Sequence, residues 1–165
     1  MSFLDFGCVV RLPPRTGELV TALLGAVLRE DVAALWETAL AAGIWRATDP
    51  VTPEEAFAYW REPMELYFAD QPFTLTPPYM TAVVERRHSP TGSSGNAMRH
   101  ISSPPDFAML GRMDLGVLSL STELRATGCW RATADEFFAQ APPVSELGKV
   151  EAPWIAAHPT AIKHA

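Results

Sequence analysis

Thr52-Pro53-Glu54-Glu55-Ala56-Phe57-Ala58-Tyr59-Trp60-Arg61-Glu62-Pro63 decides the fold class. Its first four residues set a hydroxyl cap, a proline at the first helical position and a carboxylate three residues after the cap. The free amides of a helix start are thus answered within one turn. The stretch predicts a helix from Pro53 to Ala69, kinked at Pro63, where one backbone donor is missing and the ring crowds the preceding turn. Toward the N-terminus, Leu19, Val20, Leu23, Leu24 and Val27 recur at three- and four-residue spacing and predict a helix over 16–29 with one buried face. Val32, Leu35, Trp36, Ala39 and Leu40 predict a second over 31–42, with Gly43 where a helix commonly ends.

Toward the C-terminus, Pro72 and Pro77-Pro78 punctuate the chain, and Met80, Val83 and Val84 predict a shorter helix over 79–88. Ser89 to Asn96 offers no apolar residue to bury, so residues 89–102 read as a flexible surface loop. Ser103-Pro104-Pro105-Asp106 repeats the cap logic. Phe107, Leu110, Asp114, Val117, Leu118, Ser121 and Leu124 then trace a stripe down a helix of about twenty residues ending before Gly128. Thr133 and Glu136 are placed to cap a final short helix carrying Phe137 and Phe138, followed by a proline-bearing tail over 141–165. At the other end, Phe3 to Val10 is rich in aromatic and β-branched residues around Gly7, which predicts two short strands and a turn, stopped by Pro13-Pro14. The expected fold is mainly α: a short N-terminal strand pair, then five or six helices, in one domain spanning 1–165. Its parts are a strand and turn at 1–12, helices over 13–88 and 103–140, and the intervening loop and tail.

Composition narrows the functional classes. The chain has 165 residues, 48% of them hydrophobic, which suffices for one core. A net charge of −6 without a basic stripe argues against a nucleic-acid partner. Cys8 and Cys129 make neither a disulfide framework nor a zinc site, and read as two buried thiols in a reducing compartment. Met1 is followed by Ser-Phe-Leu-Asp and not by a basic segment and a long apolar run, so a cytoplasmic location is expected. The longest apolar stretch, Val20–Leu28, is too short to span a bilayer, so any membrane contact is expected to be peripheral.

Leu4-Asp5-Phe6-Gly7 has the form in which a kinase strand delivers an aspartate to the metal ions on ATP phosphates. Magnesium wants carboxylate oxygen, a core phenylalanine anchors the aspartate's backbone, and glycine lets the chain turn away without obstructing nucleotide. In its wider setting, Phe3 to Leu12 followed directly by a helix resembles the UbiB/AarF family of atypical kinases. Pro104-Pro105-Asp106-Phe107-Ala108-Met109-Leu110-Gly111-Arg112, then Leu115 to Leu118, Leu124 and Trp130-Arg131, is similar to that family's late helix. The chain, like the family, has no Ala-Pro-Glu motif. The resemblance implies an incomplete protein-kinase-like C-lobe, with magnesium and ATP as the parent family's cofactors and a link to ubiquinone and isoprenoid-lipid metabolism. It implies Asp5 as the metal ligand, with Phe6 and Gly7 completing the cofactor-binding segment. The phosphate loop, the ATP-binding lysine and the catalytic-loop aspartate and asparagine would all precede this segment, and only four residues precede Asp5. No catalytic residue is therefore expected in the chain alone. The expected partners are the missing N-terminal kinase portion or a second copy of the chain.

Other residues have structural explanations. Gly92 to Asn96 lacks the lysine and preceding strand of a phosphate cradle. His88, His100, His158 and His164 form no i, i+4 pair and read as surface residues. Glu54, Glu55, Glu62 and Glu65 suit capping and solvation. Arg86, Arg87 and Arg99 flank the predicted loop, where an anionic lipid could meet them, though loop solubility accounts for them. Trp36, Trp45 and Trp60 are spaced as packing residues. The alternative to a kinase piece is a non-catalytic helical binding module that uses its Trp- and Met-rich faces for a partner or an apolar ligand.

Overall fold

The computed structural model describes residues 12–88, 95–139 and 141–158. These residues form α1 (Pro14–Leu28), α2 (Val32–Ala41), α3 (Pro53–Arg61), a 3-10 helix (Glu62–Tyr67), β1 (Phe73–Thr74), α4 (Pro77–His88), α5 (Gly95–His100), α6 (Pro105–Glu123), β2 (Thr127–Gly128), α7 (Trp130–Phe138) and α8 (Glu146–Ala157). The protein is mainly α, as its helical periodicities predict.

The capping box at Thr52 is formed in both directions. The Glu55 amide donates to the Thr52 hydroxyl at 3.2 Å, and the Thr52 amide donates to the Glu55 carboxylate at 2.8 Å. Pro63 acts by tightening the helix: lacking an N–H, it cannot continue the α-helical bonding, and the chain runs on as the 3-10 helix to Tyr67, short of Ala69. Tyr79 steadies this segment by accepting the Leu66 amide at 3.1 Å. Asp31 caps α2 by accepting the Ala34 amide, and Gly43 leaves it at φ +72, a backbone conformation suited to glycine.

The core gathers Leu23, Val27 and Leu28 of α1, Leu35 and Ala39 of α2, Trp45, and Ala56 and Tyr59 of α3. Trp45 is its centre, stacked on Trp36 at 6.3 Å and edge-on to Tyr59 at 5.9 Å between ring centroids. Across the bundle Arg131 of α7 donates to the Leu28 carbonyl at 2.9 Å, which holds α7 on the end of α1.

Several expectations need revision, and one lies beyond the described residues. The strand pair predicted around Gly7 lies outside the described residues, and the strands the structure does show are mid-chain. There β1 and β2 pair antiparallel, Phe73 with Gly128 and Thr74 with Thr127, their threonine hydroxyls 2.8 Å apart. Two-residue strands carry no readable alternation. The predicted loop 89–102 contains α5, because Ala97 is buried and its carbonyl takes the Trp45 indole N–H. The predicted tail contains α8, started by Ser145, whose hydroxyl accepts the Gly148 amide at 3.0 Å. Helix α6 begins at Pro105 without a side-chain cap, and Asp106 instead accepts a hydrogen bond from the buried Thr16 hydroxyl at 3.1 Å. Helix α7 begins earlier than Thr133, and neither Thr133 nor Glu136 caps it. Thr133 bonds back to the Cys129 carbonyl, while Glu136 reaches forward to the start of α8. These additions bring the described α-helices to eight.

Candidate interaction surface

Helix α6 is apolar on two sides. One side turns inward, with Thr122 buried and Phe107, Leu110, Leu115 and Leu118 half-buried against the rest of the bundle, where α4 is a neighbour. The other side is bare. Met109, Met113, Val117, Leu120 and Leu124 are 41%, 62%, 60%, 63% and 71% exposed. Their steps of four, four, three and four residues place them in one row along the helix. The stripe read from the sequence is thereby divided: Phe107, Leu110, Leu118 and Ser121 face inward, whereas Asp114, Val117 and Leu124 are exposed. The reason is physical, since a helix apolar nearly all round does not declare by its pattern which side is core.

A second apolar surface lies on the C-terminal helix. Leu147, Val150, Trp154 and Ile155 of α8 are exposed, as are Phe137 of α7 and Val144 between the two helices. Helix α8 is held chiefly by Glu136. That carboxylate accepts the Val144 and Ser145 amides at 3.0 and 3.1 Å and the Ser145 hydroxyl. The Ser145 amide foremost, then Val144 and the hydroxyl, pull its pKa below the ordinary carboxylate value against a smaller burial effect. Gly148 leaves room for this contact: a Cβ at this position would overlap the Glu136 carboxylate and stand 2.9 Å from the Ser145 hydroxyl oxygen, so the carboxylate would have to move away.

The residues with predicted chemistry are dispersed. Asp5, Phe6 and Gly7, the cofactor and metal positions of the kinase resemblance, lie outside the described residues, as do Cys8 and Gly92 to Ser94. Among the described residues no group of three or more His, Cys, Asp or Glu could hold a metal ion. Magnesium and ATP therefore enter only as expectations attached to Asp5, Phe6 and Gly7. Cys129 is exposed, and not buried as its apolar character suggests, because it lies at the surface turn between β2 and α7. His100 bonds to the Asn96 carbonyl, and exposed His158 stacks on Trp154 at 4.6 Å. Glu65 pairs with Arg86 at 2.6 Å, and Asn96 donates to Glu55, which ties α5 to the capping box. The Thr52 amide foremost, then Asn96, hold the Glu55 carboxyl below its ordinary pKa.

Two surface hollows are open. One of about 420 Å³ lies between α1 and α2, lined by Arg15, Glu18, Leu19 and Glu37. Another of about 340 Å³ is lined by Ala58, Arg61, Glu62, Glu65 and Arg86. Neither encloses the converging polar groups that a small-molecule site uses. No helix among the described residues is long and apolar enough to cross a membrane. No family model, curated protein or solved structure matches the chain.

Proposed function

We propose that the chain is a non-catalytic helical interaction module whose working surface is the bare face of α6. The observation that carries this reading is the row Met109, Met113, Val117, Leu120 and Leu124, exposed together along one helix. A contiguous apolar row rimmed by polar residues is the usual mark of a surface that another body covers. Its two methionines suit an adaptable contact, since the unbranched thioether side chain repacks easily. The test is the double substitution Met113→Lys and Leu120→Lys, followed by thermal unfolding and by binding of a dye that reports exposed apolar surface, both at dilutions where the chain is monomeric. Unchanged unfolding with reduced dye binding is the expected outcome. A loss of stability as large as that of a core substitution would show that the row is packed inside the protein and would overturn the reading.

The second reading is that of a C-terminal helical part of a UbiB/AarF-like atypical kinase, with Asp5 as its metal ligand. It is supported by Leu4-Asp5-Phe6-Gly7 and by the later stretch of resemblance, which forms one proline-started helix, Pro105–Glu123, carrying Gly111, Arg112 and Gly116. In that case the apolar faces would receive the remainder of the kinase. The chain alone lacks the elements that hold ATP, so no nucleotide is expected to bind it in isolation, and the test is the coding sequence upstream of the Met1 codon in all frames. A catalytic-loop aspartate and asparagine a short distance before this strand would favour the kinase reading, and unrelated sequence there would leave the interaction module as the account of this polypeptide.

A further inference from the structure

We infer that the bare face of α6 pairs with the same face of a second copy, antiparallel, across a two-fold axis passing near Gly116 and Val117. The inference rests on α6 being the interaction surface and adds what covers it. An antiparallel register in which positions i and 233 − i oppose each other sets Met109 against Leu124, Met113 against Leu120 and Gly116 against Val117. Every large exposed side chain of the row then meets an apolar partner, and the centre of the seam has glycine opposite valine. A Cβ added at Gly116 would meet nothing within 4 Å in the single chain, so the groove beside it is open to a partner side chain.

The rim supplies the direction. Arg112, Gly116, Ser119 and Glu123 are all exposed and lie in a second row beside the apolar one, at steps of four, three and four residues. An antiparallel two-fold brings like flanks together, so this row meets its own copy reversed. Arg112 falls near Glu123 of the second copy and Gly116 near Ser119, within one turn of the register set by the apolar row. The Arg112–Glu123 ion pair forms twice by symmetry. Neither Arg112 nor Glu123 makes an ion pair among the described residues, so both charges are available. Rim charges of this kind fix orientation and register more than affinity. The opposed helix dipoles favour the same arrangement. At 19 residues, α6 presents a seam about 28 Å long.

The test uses the full chain in sedimentation equilibrium. Wild type is expected to dimerise reversibly. Arg112→Glu alone, or Glu123→Arg alone, brings like charges together twice per dimer and is expected to raise the dissociation constant about tenfold or more. The double variant Arg112→Glu with Glu123→Arg is expected to restore dimerisation. Restoration is specific to the antiparallel register, because a parallel pair does not bring residue 112 near residue 123. In a background with Cys8→Ser and Cys129→Ser, Val117→Cys is expected to form an oxidised dimer readily and Met113→Cys to form little. A chain that stays monomeric at all concentrations, or a double variant no better than its parents, or efficient cross-linking at position 113, would overturn the inference. The Met113→Lys, Leu120→Lys variant, compared with wild type at concentrations where both are monomeric, separates the two claims: unchanged unfolding beside a wild type that never dimerises would leave α6 an interaction surface with a different occupant, whereas destabilisation of the monomer itself would remove the surface.

Discussion

The indole N–H of Trp45 donates to the backbone carbonyl of Ala97 across 3.1 Å, joining residues 52 positions apart with both almost wholly buried. This bond turns a glycine- and serine-flanked stretch into helix α5. Ala97 fits beneath the indole because it has almost no side chain, and its carbonyl is satisfied by the one polar atom that Trp45 carries into the core. Trp45 in turn packs on Trp36 and Tyr59, so α2, α3 and α5 meet at one side chain.

Replacing Trp45 with phenylalanine is therefore expected to destabilise the protein by about 2–4 kcal/mol, from the unfilled volume and the orphaned Ala97 carbonyl together. Urea unfolding followed by circular dichroism measures the loss. Hydrogen exchange should show α5 opening first, and equal protection of α5 and α2 in the variant would refute its dependence on this bond.

Thr122 offers the opposite case. It is 3% exposed, and its hydroxyl has no hydrogen-bond partner among the described residues. Thr122→Val keeps the shape and removes the orphaned polar atom, so a gain of about 1 kcal/mol in unfolding free energy is expected. A loss of that size would mean that the hydroxyl is satisfied in solution.

The sequence declares those elements whose signals are local. The capping box at Thr52 and Glu55 is self-contained within four residues, and the apolar periodicities of α1 and α2 place both helices to within two residues. Helix α5 was illegible because its cause, Trp45, lies far upstream. The start of α8 is illegible for a similar reason: proximity assigns Glu136 to the cap of its own helix, but its hydrogen bonds go to Val144 and Ser145. The candidate surface was half legible. The apolar residues of α6 are plain in the sequence, but which of its two apolar sides faces the bundle is decided by contacts with distant elements. No local pattern separates Leu118 from Val117.

Acid is expected to loosen the two sites where a carboxylate accepts backbone amides. Glu55 and Glu136 both have pKa values lowered from 4.5 in the folded protein. A carboxyl whose pKa is depressed by folding adds stability that is fully present above 4.5 and is lost as pH falls through its lowered folded value. Stability measured from pH 6 downward should therefore decline below about 4.5, and Glu136→Gln should make that decline shallower. An unchanged slope in that variant would show that Glu136 is not hydrogen-bonded as described.

Gly148→Ala is expected to free α8 without unfolding the bundle. The added methyl would displace the Glu136 carboxylate from Ser145, while no residue of the core cluster lies on α8. Limited proteolysis should cleave between α7 and α8 several-fold faster, with the main thermal transition little changed. Equal cleavage rates would show that α8 is held by something other than the Glu136 cluster.

Tyr79 connects these packing arguments to the candidate surface. It belongs to α4, a helix against which α6 packs, and its hydroxyl accepts the amide of Leu66 in the 3-10 helix at 3.1 Å. Burial foremost pushes its pKa to about 12, outweighing the lowering by the Leu66 amide. The folded state thus holds the phenol proton more tightly than the unfolded chain does. Its contribution is fully present below pH 10 and is lost as pH rises toward about 12. Ultraviolet titration should find this phenol ionising near the top of that range, together with an alkaline loss of stability that Tyr79→Phe reduces. At neutral pH the same variant removes the acceptor of the Leu66 amide and is expected to cost about 1–2 kcal/mol. Because α4 supports α6, it should also alter apolar dye binding at the α6 face, although Tyr79 is not part of that row. A variant with wild-type stability and an unchanged alkaline profile would show that Tyr79 does not anchor the 3-10 helix.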